Sequence, residues 1–200
     1  MIRSSLILLA AIAMLAACAS TRVVNQWEMA EPGPAFRKLL VVGITENESV
    51  RRIFEDEFVK SLAARGVTAI PSYSLIPESG QVPEARLAAA VKASGAEGVM
   101  TTRVIRVNQT VDVIPTGPGV WGPPWGFQGW YGSAWGPIYA FPPQVVTRDV
   151  VYSEVRLYRT DTDSLVWAAT TQTFAPGDAR RESAAFAELI LKQLSERKLI

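Results

Sequence analysis

The sequence predicts an α/β domain with an α+β tendency, in the order β-α-β-α-β-β-β-α. A mixed sheet carries helices packed on it, and a Gly/Trp-rich insertion sits in a hairpin. Three observations predict this. Leu39-Leu40-Val41-Val42-Gly43-Ile44 is a continuous apolar run, the mark of a strand covered on both faces. Two helical patterns alternate with β-branched runs as far as Ile114. After residue 143 the apolar period shortens to that of adjacent strands before one last amphipathic helix.

The elements follow in order. After the first strand, Thr45 or Asn47 can cap a helix, and Thr45 with Glu48 has capping-box spacing. That helix carries Val50, Ile53, Phe54, Phe58 and Leu62 at helical spacing. Its i,i+4 pairs Arg51–Glu55, Arg52–Asp56 and Asp56–Lys60 read as a solvated face, and Gly66 stops it. Val67 to Tyr73 is a second strand, placed at an edge by Pro71. Pro83 opens a helix through Ser94 that turns Leu87, Ala90 and Val91 inward, and Gly95 closes it. Gly98 to Ile114 is a long third strand. Gln144 to Thr160 and Leu165 to Phe174 are strands joined by a turn at Asp161-Thr162-Asp163. Trp167 lies in a regular alternation and is expected in core or cross-strand packing. Pro176-Gly177-Asp178 breaks the chain before a helix from Arg181 to about Lys198, with Phe186, Ile190 and Leu194 on one face.

The N-terminus predicts an address. Met1 to Ser5 carries one cation, Arg3, and Leu6 to Ala17 is an apolar run too short to span a bilayer. It ends in Leu15-Ala16-Ala17-Cys18, which matches the bacterial lipoprotein cleavage box. Residues 1–17 are then a signal peptide, and Cys18 carries the acyl chains, palmitate among them. Ala19 stands where an inner-membrane retention signal would place Asp, so a periplasm-facing position on the outer membrane is expected. Residues 18–36 read as a tether, with Trp27 either docked or mobile, and 37–198 as a single periplasmic domain.

Inventory excludes much chemistry. The chain has no histidine and one cysteine, Cys18, so intrachain disulfides, His-containing triads and ordinary zinc sites are ruled out. No phosphate-binding loop, dinucleotide fingerprint or nucleophile elbow occurs, and no cofactor is implied. Thr160 to Ser164 spaces two acids like the start of a calcium loop, but lacks the following Gly and the distant Glu. Loss of Arg3 with the leader balances Lys and Arg against 19 acidic residues, and no basic tract points to nucleic acid or anionic lipid.

KLLVVGITENESVRRIFEDEFVKSLAARGVTAIPSY and RLYRTDTDSLVWAATTQTF, with the lipobox before them, resemble small proteobacterial outer-membrane lipoproteins of unknown function. Their periplasmic α/β domain is similar in architecture to the curli-secretion lipoprotein, the penicillin-binding-protein activator lipoproteins and the N-terminal domain of the Tol propeller protein. The resemblance implies a binding or assembly role at the cell envelope and brings no catalytic residues.

The insertion, 115–143, is the candidate contact surface. Residues 116–143 hold seven glycines and six prolines, and no charge occurs from Val113 to Thr147. Trp121, Trp125, Phe127, Trp130, Tyr131, Trp135 and Tyr139 are the partner-binding candidates. Three readings compete: an adaptable loop for an envelope protein or glycan, aromatics seated in the membrane interface, or a flap on the domain's own sheet. Sequence alone leaves the oligomeric state open.

Overall fold

The computed structural model describes residues 21–114, 144–174 and 177–200. The leader, Cys18 and the seven aromatic candidates of the insertion lie outside the described residues. The chain divides into two compact units, Met1–Val107 with Val151–Ile200, and Asn108–Val150. The expected insertion falls within the second.

A mixed six-stranded sheet with three helices packed on it forms the fold. The strands are β1 (Thr21–Glu28), β2 (Lys38–Ile44), β3 (Thr68–Pro71), β4 (Gly98–Ile114), β5 (Gln144–Arg159) and β6 (Ser164–Phe174). The helices are α1 (Glu48–Ala63), α2 (Glu84–Ser94) and α3 (Ala179–Glu196). The sheet order is β1-β6-β5-β4-β2-β3.

β2 pairs in parallel with β3 on one side and β4 on the other. The two crossovers therefore run in opposite directions over the sheet, and right-handed connections put α1 and α2 on opposite faces. Burial agrees. Leu39 and Val41 belong to the main core, while Leu40, pointing the other way, is buried outside it. The continuous apolar run of β2 is explained by this two-sided cover. β3 is the sheet's edge, where Pro71 removes no needed donor.

α1, α3 and the sheet enclose the main core. Phe54, Phe58 and Phe186 stack with ring centroids 4.7–5.9 Å apart. Below them lie Met100, Val155, Leu157 and Trp167, with Ile190, Leu191 and Leu194 from α3. Asn47 caps α1, its Oδ1 accepting from Val50 N at 3.0 Å, and Asp178 caps α3 through Arg181 N at 2.9 Å. Gly95 ends α2 with φ +58°, as its position after Ser94 requires.

β4, β5 and β6 form a meander. The Arg103–Glu154 contact and the Thr160 N to Glu97 O bond (3.0 Å) share one antiparallel register between β4 and β5. The Asp161-Thr162-Asp163 segment is a hairpin turn, with Asp163 at φ +50°.

Two expectations need correction. Residues 21–28, read as tether, form β1, which pairs antiparallel with β6 from Thr21↔Thr173 to Glu28↔Trp167. Its sequence lacks alternation because an edge strand with a bulge at Val23–Asn25 buries little on either face. Trp27 is half-exposed on it. The connection to β2 is also fixed: Phe36 is buried, its N–H bonds Leu199 O (2.8 Å), and the Arg159 guanidinium lies 4.3 Å over its ring.

The second correction concerns α1. Arg51 and Glu55 are not solvated; they are 5% and 0% exposed. Arg51, Glu55, Phe58 and Leu62 follow one another at spacings of four, three and four, so all four lie on one stripe facing the fold. Val50, expected inward, is exposed, and so is Leu87 of α2. Ala90 is the buried contact of α2.

Candidate functional site

A cleft of about 310 Å³ opens beyond the end of β2, beside Thr102–Val104 of β4, where α1 and α3 begin. Open α/β sheets place ligands outside the carboxyl ends of their strands, and this is such a place. Phe54 and Phe186 make one wall, Ile44 and Val104 the rim. Hydroxyls make the floor: Thr21, Thr102, Ser153, Thr173 and Ser183.

The floor follows from strand register. Thr21 of β1 faces Thr173 of β6, and their Oγ1 atoms are 2.9 Å apart. Thr171 Oγ1 donates to Ser153 O at 3.3 Å. Thr102 Oγ1 is buried and has no hydrogen-bond partner among the described residues. Trp167 Nε1, deep in the core, shares that condition.

A polar brace holds the α1 side of the cleft. Glu55 Oε1 accepts from Gly43 N (2.9 Å), Arg51 Nε (3.1 Å) and Ser72 Oγ (2.7 Å). Its Oε2 accepts from Tyr73 N at 3.0 Å. Arg51 also donates to Ser72 Oγ and to Glu78 O, each at 2.7 Å. One carboxylate thus ties the end of β2 and the short 3-10 turn Ser72–Ser74 to α1. Both Glu55 oxygens and all three Arg51 nitrogens are bonded, so the pair is a structural brace. Nearby, the Tyr73 hydroxyl is raised above its ordinary range by its 2.6 Å bond to Asp56.

A second feature lies on the sheet face away from α1 and α3. Arg22 of β1 donates Nε and Nη2 to Gln172 Oε1 (3.0 and 2.8 Å), and Gln172 Nε2 donates to the Tyr152 hydroxyl (3.0 Å). The Arg106 guanidinium lies 4.3 Å over the Tyr152 ring. Next to this row, Glu154 takes bonds from both Arg103 (2.9 Å) and Arg156 (2.8 Å). Arg156 first, then Arg103, holds the Glu154 carboxyl below the usual carboxylate range against the opposing pull of burial.

The cleft has no histidine to activate its hydroxyls, since the chain has none. Among the described residues, no three metal-ligating side chains come together, and no helix is long and apolar enough to cross a membrane. What the cleft can do is hold a small apolar or amphipathic group, with hydroxyls to orient it.

No protein-family model matches the chain, and no curated protein matches it. Solved structures with a similar arrangement include a PelC dodecamer from Paraburkholderia phytofirmans, 13% identical, with a TM-score of 0.42. The match covers 85% of this chain and 94% of that one. Lipoprotein GNA1162 from Neisseria meningitidis is 9% identical over 82% of this chain and 99% of its own, with a TM-score of 0.41. A putative neuraminyllactose-binding hemagglutinin homolog from Helicobacter pylori is 11% identical over 86% and 92%, with a TM-score of 0.41.

The sequence reading placed its candidates at Cys18 and in the aromatic insertion, all outside the described residues. It missed the cleft and the arginine-rich face. The cleft floor is assembled from hydroxyls on four strands and α3, far apart in sequence, so no local motif announces it. The arginine face had a legible trace, the alternation Tyr152, Glu154, Arg156, Tyr158 along β5.

Proposed function

We propose that this chain is a non-enzymatic binding or assembly lipoprotein of the bacterial outer membrane, facing the periplasm and anchored at Cys18. The observation that carries the binding role is the cleft: aromatic and aliphatic walls, a hydroxyl floor, and a hydrogen-bonded Arg51–Glu55–Ser72 brace beside it. The Leu15-Ala16-Ala17-Cys18 box supports the anchor. Trp121, Trp125, Phe127, Trp130, Tyr131, Trp135 and Tyr139 are the further partner-binding candidates, suited by residue type to an envelope protein or glycan. The architectural likeness to periplasmic α/β lipoproteins fits the same role.

A second reading, self-association, has one observation in its favour. Pairing of β2 with β4 stops at Ile44↔Arg103, and beyond it Val104, Ile105 and Val107 are exposed on a strand edge that no other described strand pairs.

The test is in-cell photocrosslinking from Val104, Trp125 and Trp130, with mass spectrometry of the products. A reproducible envelope partner from the cleft rim or the insertion supports binding, and adducts made only with the chain itself support self-association. Absence of any adduct from all three positions sinks both. Palmitate labelling that persists in Cys18→Ser removes the anchor.

A further inference from the structure

We propose that the arginine-rich sheet face is a docking surface for anionic lipid headgroups, holding the domain against the membrane that carries its anchor. The inference deepens the lipoprotein reading and rests on it for the anchor, but the face is argued from its own geometry.

The first argument is reach. With residues 21–28 in the sheet, only Ala19 and Ser20 separate Cys18 from β1. Three peptide units span at most about 11 Å, so an acylated Cys18 keeps Thr21 within that distance of the lipid surface. Arg22 is the next residue. Its register partner is Gln172, and the row Arg22, Gln172, Tyr152, Arg106 crosses β1, β6, β5 and β4 at the end of the sheet where β1 begins. The leash is too short to let this row drift far from the headgroups.

The second argument is charge. Arg22, Arg103 and Arg156 share this face, the Arg106 guanidinium reaches the Tyr152 ring on it, and among the described residues Glu154 is the carboxylate in their contacts. The mature chain carries 19 basic and 19 acidic side chains in all, so the excess of cations on this face leaves an acidic excess elsewhere. Arg103 and Arg156 keep 53% and 41% of their side-chain surface in water despite bonding Glu154. Arg22 spends two donors on Gln172, and Arg106 lies against a ring with no hydrogen bond among the described residues. Guanidinium groups with free donors on a flat surface match phosphate oxygens bidentately. Tyr152 supplies an amphipathic ring at headgroup depth.

The experiment uses the full chain carrying Cys18→Ser, so that no acyl chain contributes. It is sedimented with vesicles of phosphatidylcholine alone or mixed with phosphatidylglycerol, at low and high salt. The chain should prefer the anionic vesicles, and salt should erase the preference. Arg22→Gln with Arg106→Gln should cut the anionic partition by roughly 25-fold, about fivefold per cation, and leave the neutral partition unchanged. Circular dichroism checks that the double variant folds, and Arg103→Gln provides an independent single change on the same face. Equal partition to both vesicles, or a preference untouched by these changes, overturns the proposal. So does a soluble uronic-acid polymer that binds the chain as tightly as the vesicles do. Palmitate labelling of the unaltered chain reports the anchor separately. An acylated chain blind to lipid charge keeps the anchor and loses the face, and an unacylated one with an arginine-dependent preference keeps the face.

Discussion

Glu55 Oε1 lies 3.1 Å from Arg51 Nε with both side chains out of water, one turn apart on α1. The same oxygen also receives Gly43 N and Ser72 Oγ, so it joins three elements at once. Removing one member of such a set leaves the other charge buried and unpaired, which costs about 3–5 kcal/mol. Glu55→Ala is therefore expected to destabilise severely, and Glu55→Gln to lose much of that amount. Arg52→Ala, on the exposed side, should cost under about 1 kcal/mol. Urea unfolding of the three variants checks this; equal midpoints for Glu55→Ala and Arg52→Ala would refute the brace.

Gly98 permits the close approach of the β1–β2 connection to the sheet. A Cβ at this position would meet Phe36 Cε1 at 2.6 Å and Tyr158 O at 2.8 Å. One contact is a buried ring and the other is backbone, so neither yields cheaply. Gly98→Ala should cost about 1–3 kcal/mol through overpacking. Pairing it with Phe36→Leu should recover part of the loss. If the alanine is neutral by thermal melting, Phe36 is not seated as described.

If residues 21–28 are a strand, their amides exchange slowly. Backbone N–H groups paired between β1 and β6 should be protected, unlike those of a solvated tether. Hydrogen-exchange mass spectrometry on a peptide covering 21–28 reads this directly. Exchange as fast as in an unstructured control peptide contradicts the edge strand and, with it, the short leash from Cys18.

Much of the fold was legible in the sequence, and the misses have common causes. The run Leu39 to Ile44, the caps Asn47 and Gly95, and the alternation around Trp167 are local signals, and each element stands where they placed it. β1 escaped because an edge strand is defined by its partner: Val23 and Val24 sit beside a bulge, and no period survives there. Arg51–Glu55 was misjudged because charge at i,i+4 was read as exposure. The stripe it shares with Phe58 and Leu62 gave the opposite answer. The cleft floor depends on Thr21, Thr102 and Thr173 meeting through register, which only the tertiary pairing supplies.

Acid should weaken the fold through Glu154 more than through Glu188. The Glu188 carboxyl is also held low, chiefly by its hydrogen bond from Arg65. A carboxyl whose folded value is lowered contributes stability above its unfolded value, about 4.3, and loses it as the pH falls through the folded value. Glu188 remains 58% exposed, so solvent screens its pair and little is expected. Glu154 is 19% exposed and serves two arginines. Glu154→Gln should therefore flatten the acid limb of a stability–pH curve below about pH 4 more than Glu188→Gln does. Equal acid limbs for the two would contradict the ranking.

Thr102 offers a change expected to stabilise. Its Oγ1 is buried without a partner among the described residues, and valine has nearly the same shape. An unsatisfied buried hydroxyl costs about 1–3 kcal/mol, so Thr102→Val should raise stability by roughly 1 kcal/mol. Thr173→Val breaks the 2.9 Å bond to Thr21 and should lower stability instead, by leaving Thr21 Oγ1 unpaired. The opposite signs separate an orphan hydroxyl from a paired one in the same floor. Both are read from denaturant midpoints at constant m-value. A loss in Thr102→Val as large as in Thr173→Val would mean that the Thr102 hydroxyl does work in the folded chain, as a ligand-facing group of the cleft would.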